Sequence, residues 1–328
     1  MKLIKTEDAV GHVLCHDMTQ IIKDQYKDAR FRKGHVVTEE DIPVLLSMGK
    51  EHLYVWEMTP GMVHENDAAE RLLALCGQEN MIRSGVKEGK IELKAACDGV
   101  FLVDSARLVA VNSQDEVMIA TRKGGMAVRE GDKLAGMRVI PLIIEEEKLR
   151  KAEQAAGDKP LLSLKPYVRK TACIVATGGE VKKGLIKDTF TPVVIDKLKT
   201  YGIETLEVVY SGDGVENVRD AVLTMREKKP DMILCTGGMS VDPDDNTPGG
   251  IKAAGANIIA YGAPVLPGAM FLLGYFDDGM PVMGLPGCVM YAGATVFDLV
   301  LPKIAADVPV TRADLAALGE GGLCLGCK

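Results

Sequence analysis

Short apolar runs recur in the second half of the chain, and each is followed by a glycine turn. They lie at 171–176, 205–209, 231–235 and 281–285. Because these runs are too short for buried helices and are bounded by glycine or proline, they predict buried strands. The segments between them carry helical spacing, as in Val215, Val218, Val222 and Met225. Strands that alternate with helices predict a three-layer α/β domain, with a parallel sheet between two layers of helices.

The first half of the chain has a different pattern. Apolar and polar residues alternate at 91–94, 99–103, 106–111 and 116–121, which predicts a small β-rich unit of short strands. Lys123-Gly124-Gly125 predicts a hairpin tip, which is favoured over a phosphate-binding element. Nearer the N-terminus, Thr38 is expected to cap a short helix whose inward residues are Ile42, Leu45 and Leu46.

The predicted domain boundaries follow from these changes of pattern. A charged helix from Glu145 leads into Gly157-Asp-Lys-Pro160, which is typical of a boundary. A chain of 328 residues suits two or three domains. We expect an N-terminal α+β segment (1–64), a β-rich domain that ends in the charged helix (65–160), an α/β domain (161–310) and a C-terminal tail (311–328).

The stretch 235–251, CTGGMSVDPDDNTPGGI, is the richest in candidate chemistry. Gly237 and Gly238 allow backbone N–H groups to approach an anion. Thr247-Pro248 is typical of a helix start, with the threonine hydroxyl as the cap. Three carboxylates, those of Asp242, Asp244 and Asp245, would repel phosphate, so a hard cation such as Mg²⁺ is the expected mediator. The alternative is a solvated acidic turn.

The other glycine turns point to the same edge of the predicted sheet. They follow the strands at 177–180, 211–214 and 286–287. Because the carboxyl ends of parallel strands meet at one edge, the turns should converge on a ligand crevice.

In order and spacing these pieces resemble the molybdopterin-binding domain shared by molybdopterin molybdotransferases, adenylyltransferases and gephyrin-type proteins, over about residues 168–306. The resemblance rests on TGGE (177–180), Asp188, SGDG (211–214), TGGMSVDPDDNTP (236–248), LPG (266–268) and GLPG (284–287). The segment 31–49 is also similar to one that molybdotransferases carry ahead of this domain.

The resemblance implies a set of site residues. Asp213 and Asp245 correspond to Mg²⁺ ligands and, with Ser240, to catalytic residues. Apart from the resemblance, transfer chemistry without histidine indicates that a lysine, Lys183 or Lys187, would assist. The implied cofactor-binding residues are Thr177, Gly178, Gly179, Glu180, Asp188, Thr236, Gly237, Gly238, Pro267, Gly268, Pro286 and Gly287.

The resemblance also implies an activity. The expected ligand is molybdopterin or adenylated molybdopterin, and the expected reaction is Mg²⁺-dependent insertion of molybdate, as substrate, with release of AMP. The implied partners are a client molybdoenzyme and a second copy of the chain in a homodimer.

Three departures from the family pattern bear on catalysis more than on binding. An Asp-Gly-Tyr-Ala stretch is absent near the N-terminus, Ala269 stands where a lysine is expected, and Cys288 stands where asparagine is usual. Two alternatives therefore stay open. One is a non-catalytic carrier or sensor of the finished cofactor, and the other is a nucleotide-processing enzyme that uses the same domain.

Net charge, hydrophobicity and cysteine content limit the partners and the cellular location that we expect. A net charge of -7 argues against nucleic acid as a partner. No apolar run reaches the roughly 20 residues of a membrane span, and the N-terminus lacks a secretory apolar core. Eight cysteines without an export signal favour reduced thiols and a cytoplasmic protein.

Histidine and cysteine positions limit the chemistry that is available. All five histidines lie at or before His64, so the α/β domain has no Ser-His-Asp or Cys-His device. His12, Cys15 and His16 lie in an alternating stretch that would split them between faces, which favours a structural role over metal binding. Cys324 and Cys327 form a terminal CxxC, which is half of a metal site, a redox pair or two incidental thiols.

Overall fold

The computed structural model describes residues 2–22, 26–55, 60–240, 242, 245–323 and 325, with the backbone alone at 21, 22, 26, 27 and 180. The chain forms two compact units. The first unit comprises residues 1–97, 101–124 and 128–164, and the second unit comprises residues 98–100, 125–127 and 165–328.

The elements of the chain up to Pro166 are, in order, β1 (Lys2–Lys5), β2 (Met18–Ile22), β3 (Tyr26–Phe31), α1 (Asp41–Ser47), β4 (His52–Val55), β5 (Met62–His64), α2 (Glu65–Cys76), β6 (Met81–Arg83), β7 (Ile91–Ala95), β8 (Gly99–Val103), α3 (Ser105–Asn112), β9 (Val117–Thr121), β10 (Met126–Val128), β11 (Lys133–Val139), β12 (Ile143–Glu145), α4 (Glu146–Ala156) and β13 (Leu162–Pro166).

The first unit contains two hydrophobic cores. Leu14, Leu45 and Leu53 belong to the core of the N-terminal part, whereas Leu93 and Phe101 belong to the second. Around the second core lie an antiparallel sheet of order β6-β7-β11-β9 and the helices α2 and α4. The β-rich region predicted from the alternating pattern is therefore present, with helices packed on it.

One predicted strand of this region is wrong. Residues 106–111 alternate like a strand, yet they lie in α3. The side chain of Asp104 accepts a hydrogen bond from the N–H of Arg107 at 3.1 Å, so the segment begins with a helix cap. Val111 is buried, whereas Val109 is 65% exposed, as expected for a helix with one buried face.

Three smaller expectations also failed. Lys123-Gly124-Gly125 is not a hairpin tip, because β9 pairs with β11 while β10 belongs to the sheet β10-β8-β13. Leu46 of α1 is exposed rather than inward. Residues 12–16 form isolated bridges from Val13 and Leu14 instead of a regular strand.

The elements of the second unit from Thr171 onward are β14 (Thr171–Thr177), α5 (Gly179–Lys182), α6 (Phe190–Lys199), β15 (Glu204–Ser211), α7 (Val215–Glu227), β16 (Met232–Thr236), α8 (Thr247–Ala253), β17 (Asn257–Tyr261), β18 (Leu272–Tyr275), β19 (Pro281–Leu285), α9 (Val296–Ala305) and α10 (Arg312–Ala317).

The second unit has the predicted α/β architecture. Its six-stranded sheet has the order β15-β14-β16-β19-β18-β17, and the first four strands are parallel. In β14, Ala172 and Ile174 pack in the core that contains α6 and α9, whereas Cys173 and Val175 pack in the core that contains α7 and α8. The sheet is thus buried on both faces, which explains why its strands are continuous apolar runs.

Two further strands were not predicted. β17 and β18 pair antiparallel to each other, and β18 pairs antiparallel to β19. They complete the sheet on the side opposite β15.

Residues next to two of the predicted domain boundaries, those at 160 and 310, pack in hydrophobic cores on the other side of the boundary. Leu161, Leu162 and Leu164 lie in the second core of the first unit, and Leu315 of α10 packs in the core of the second unit. The boundaries predicted at 64, 160 and 310 stay predictions. In the part of the chain that the structure describes, no helix is long and apolar enough to cross a membrane.

Candidate ligand-binding crevice

The carboxyl ends of the parallel strands meet at one edge of the sheet. Thr177 at the end of β14 pairs with Ser211 of β15, and Thr236 at the end of β16 pairs with Ala176 and Leu285. After β14 the chain forms β15 on one side of that strand and then β16 on the other. The strand order therefore reverses between β14 and β16, and ligands bind at such a switch point in open α/β sheets.

The glycine turn after β16 closely approaches the end of β14. Gly237 and Gly238 have φ of +84° and +56°, in the left-handed region that favours glycine. A Cβ on Gly237 would clash with the carbonyl oxygen of Thr177, and one on Gly238 would lie 2.7 Å from Oγ1 of Thr247. Both conformation and space thus require glycine here.

Two buried threonines fix this turn. Oγ1 of Thr177 donates to the carbonyl oxygen of Thr236 at 3.0 Å, and Oγ1 of Thr247 donates to that of Gly237 at 2.9 Å. The two hydroxyl oxygens are 3.2 Å apart. The expected capping role of the Thr247 hydroxyl is wrong, because Thr247 is the first residue of α8 and its hydroxyl bonds the preceding turn. These contacts hold the glycine turn after β16 against the end of β14.

The acidic segment folds back on the same turn. The N–H of Ser240 donates to Oδ2 of Asp245 at 3.0 Å, and the N–H of Asp245 donates to the carbonyl oxygen of Asp242 at 2.9 Å. Asp245 is half-buried, whereas Ser240 is exposed. The carboxylate of Asp244 lies outside the described residues. Ser240 and Asp245, predicted to act together, are therefore in direct contact.

Asp213 lies in the loop after β15, and its side chain contacts the turn after β14. Its Oδ2 accepts a hydrogen bond from the N–H of Gly179 at 2.8 Å. That amide was expected to hold an anion, together with Gly178. In the structure a carboxylate of the protein already occupies it. The side chain of the neighbouring Glu180 is not described.

Asp188 begins α6. Its Oδ1 accepts from the N–H groups of Phe190 at 2.9 Å and Thr191 at 3.0 Å, and Oδ2 lies 3.3 Å from the hydroxyl of Tyr210. Burial favours a raised pKa for this carboxyl, but the hydrogen bonds outweigh burial and hold the pKa of Asp188 below its usual value. Asp188 is thus ionised and bonded to the start of the helix.

The proline-glycine turns lie in two further loops of the second unit. Pro267 and Gly268 are in the loop between β17 and β18, where a Cβ on Gly268 would lie 2.8 Å from Cγ1 of Val296. Pro286 and Gly287 follow β19, the neighbour of β16. Burial raises the pKa of the Cys288 thiol beside them, which makes it a poor thiolate at neutral pH.

The candidate metal ligands are few. Among the described ranges, no group of three or more His, Cys, Asp and Glu side chains could hold a metal ion. Cys324 and Cys327 lie outside the described residues. Lys183 and Lys187 are described, and both are exposed.

One residue of the site was missed by the analysis of the sequence. The hydroxyl of Tyr261, at the end of β17, donates to the carbonyl oxygen of Met239 at 2.9 Å. Burial, and then the negative charge of Asp245, raise the pKa of Tyr261. Its strand, β17, was not predicted from the sequence, so Tyr261 was not expected beside this turn.

The second unit is thus an open α/β domain, and the turns after β14 and β16 meet at its switch point, the position at which ligands bind in sheets of this kind. Residues 173–306 match the family described as a probable molybdopterin binding domain, which confirms the predicted resemblance: this segment is a divergent domain of that type. Residues 3–57 match a family described only as a domain of unknown function.

Curated relatives match a short segment. CinA-like proteins from Mycobacterium tuberculosis (strain H37Rv) and Petrotoga mobilis are 33% and 32% identical over 76 residues. The match covers 23% of this chain and 18% and 19% of those proteins, respectively, so the chain spans less than a fifth of their length.

Similar solved structures include CinA, a protein of unknown function, from Thermoplasma acidophilum. Its identity to this chain is 18% and the TM-score is 0.35, and the match covers 42% of this chain and 98% of the CinA chain. The molybdopterin biosynthesis enzyme MoaB from Thermus thermophilus is 16% identical with a TM-score of 0.37, covering 44% and 99%. The match to a molybdenum cofactor biosynthesis protein from Pyrococcus furiosus covers 96% of this chain and 64% of that protein's chain. The identity is 13% and the TM-score is 0.28.

Proposed function

We propose that the crevice of the second unit binds molybdopterin in its adenylated form and that the protein inserts molybdate with release of AMP, as a step of molybdenum cofactor biosynthesis. One observation carries the proposal. The turns after β14 and β16 meet at the switch point of a molybdopterin-binding type of domain, with Asp213 and Asp245 beside them.

Backbone amides are the proposed phosphate ligands. Those of Gly178, Gly179, Gly237 and Gly238 lie in the turns after β14 and β16, where glycine allows backbone conformations that direct N–H groups at an anion. The Gly179 amide donates to Asp213, so a phosphate must displace that carboxylate. The exposed Lys183 or Lys187 supplies positive charge, which a chain of net charge -7 must concentrate locally.

Mg²⁺ fits the residues available. The cation is ordinarily held by one or two carboxylates together with water and phosphate oxygens, so Asp213 and Asp245 suffice as protein ligands. When bound, it would neutralise charge on the pyrophosphate. The protein's own contribution is to hold Asp245 through the Ser240 amide, and the exposed Ser240 hydroxyl is the proposed contact for molybdate.

The test is AMP release from adenylated molybdopterin by the full chain with Mg²⁺, with and without molybdate. We expect release that depends on molybdate, and a loss of roughly tenfold or more in Asp245→Asn, because a metal ligand is removed. Asp196→Asn is the matched control, since that carboxylate is 76% exposed on α6. Full Mg²⁺-dependent turnover by Asp245→Asn would refute the role of Asp245.

A second candidate is a carrier or sensor that binds the finished cofactor without turnover. The contact between Asp213 and the Gly179 amide favours it, since one predicted catalytic carboxylate is engaged inside the protein. Ala269 and Cys288, in place of polar residues, favour it too. Tight pterin binding without AMP release would select this function. Purified protein that carries a nucleotide and no pterin would select a nucleotide-processing enzyme instead.

Assembly and partners belong to the same proposal. We propose a homodimer that delivers its product to a client molybdoenzyme. Sedimentation of the purified chain tests the dimer, and capture of a molybdoenzyme by the pterin-loaded protein tests the client.

A further inference from the structure

The loop that carries Ser240 is held by a side chain from outside the glycine turns. Tyr261 ends β17, and its hydroxyl oxygen lies 2.9 Å from the carbonyl oxygen of Met239 and 3.4 Å from that of Ser240. These two residues directly follow Gly237 and Gly238. A single tyrosine hydroxyl therefore joins the edge of the sheet to the loop of the crevice.

The same loop is fixed from below. The Met239 side chain is buried in the core shared with α7 and α8, and a Cβ on Gly284 of β19 would lie 2.5 Å from its sulfur. On the other side, the N–H of Ser240 donates to the carboxylate of Asp245. The Tyr261 hydroxyl adds a restraint on the backbone at Met239 and Ser240, between the buried methionine side chain and Asp245.

We propose that Tyr261 is a positioning residue of this site: its hydroxyl fixes the Met239 and Ser240 carbonyls and so sets the direction in which Asp245 presents its carboxylate. The inference rests on the proposed function in one respect, that Asp245 binds the cation. Tyr261 itself touches neither cation nor pterin in this scheme. It acts through the loop.

The first test needs no ligand. In the full chain, Tyr261→Phe removes the hydroxyl and keeps the ring, so hydrogen exchange of segment 237–246 should become about two- to tenfold faster. Tyr275→Phe is the matched control: Tyr275 lies on β18, and its hydroxyl accepts from the N–H of Val310 at 3.1 Å. It should leave segment 237–246 unchanged. Unchanged exchange of that segment in Tyr261→Phe would overturn the proposal.

The second test measures the cation. We expect the Mg²⁺ concentration for half-maximal binding of adenylated molybdopterin to rise about three- to tenfold in Tyr261→Phe, with full binding recovered at saturating Mg²⁺. In an Asp245→Asn background the same change should have no further effect, because the group it positions is gone. An equal rise in Tyr275→Phe, or an additive effect with Asp245→Asn, would overturn a positioning role.

The two tests distinguish a failure of the proposed function from a failure of the positioning role proposed for Tyr261. If the wild-type chain fails to bind adenylated molybdopterin, the proposed function is wrong, and hydrogen exchange still decides whether Tyr261 positions the loop.

Discussion

Replacing Gly237 by alanine tests the close approach on which the crevice depends. At φ of +84° an alanine carries a left-handed strain of about 1–2 kcal/mol. Its Cβ would also clash with the carbonyl oxygen of Thr177, a backbone atom at the end of β14 that cannot rotate away. Overpacking of this kind adds about 1–3 kcal/mol. We expect Gly237→Ala to lower the free energy of unfolding of the second unit by about 2–5 kcal/mol.

The chain offers a matched control in Gly255, which follows α8. Its φ is +91°, and a Cβ there would meet nothing within 4 Å. Gly255→Ala therefore carries the left-handed strain without the clash, and should cost about 1–2 kcal/mol. The difference between the two variants isolates the contact between the turn and β14.

The measurement must report on the second unit. The single tryptophan, Trp56, precedes that unit in sequence, so its fluorescence is unsuitable. Hydrogen exchange of peptides from β14 and β16 at increasing urea gives the local free energy of unfolding instead. Equal losses in the two variants would refute the reasoning, because the clash with Thr177 would then contribute nothing.

Two further predictions concern side-chain hydrogen bonds of the second unit. Thr247→Val should cost the second unit about 1–3 kcal/mol in the same exchange measurement, because the Gly237 carbonyl loses its buried donor. Thr224→Val, whose exposed hydroxyl donates to the carbonyl oxygen of Asp220, should change stability by at most about 0.5 kcal/mol, and equal effects would contradict the prediction. Asp231→Asn tests a pH dependence: burial favours a raised pKa, but hydrogen bonds from Lys170 and Thr171 outweigh it and hold the pKa of Asp231 below its usual value. A depressed pKa stabilises the fold above the unfolded value of about 4, and this stabilisation is lost as pH falls through the lower folded value. Asp231→Asn should therefore unfold at a lower temperature than wild type at pH 7, and the gap should shrink below about pH 4; a gap independent of pH would refute the assignment.

The strands of the parallel sheet were predictable because burial on both faces requires a continuous run of apolar residues in the sequence. β14 and β16 are continuous apolar runs that end at glycine turns. Residues 106–111 were misassigned for an equally local reason, since the Asp104 cap outweighs an alternating pattern that suits a strand. β18 was missed because it spans four residues and depends on pairing with β17 and β19. The sequence of a strand does not by itself show which strands it pairs with.

The same distinction holds for the crevice. Gly237 and Asp245 stand in one motif, so their neighbourhood could be read from the chain. The hydrogen bond between Tyr261 and Met239 spans 22 residues, and the one between Gly179 and Asp213 spans 34. The second joins the loops after two adjacent strands, β14 and β15, whereas the first reaches the loop after β16 from β17, with β19 and β18 between these strands in the sheet. A motif therefore indicates where a ligand could bind, while the groups that restrain the motif appear only with the fold.

Charge explains why the proposed function includes a cation. The amide field at the start of a helix stabilises an anion by about 0.3–1 kcal/mol, and the helices that follow these turns are short, with α8 spanning seven residues and α5 four. A unit negative charge about 4 Å from a phosphate opposes it by about 4 kcal/mol near a protein surface. With Asp213 and Asp245 both beside the turns, backbone amides alone cannot outweigh the carboxylates. The proposed binding of an anionic ligand therefore includes a cation between the ligand and the carboxylates, and we expect the proposed activity to depend on Mg²⁺.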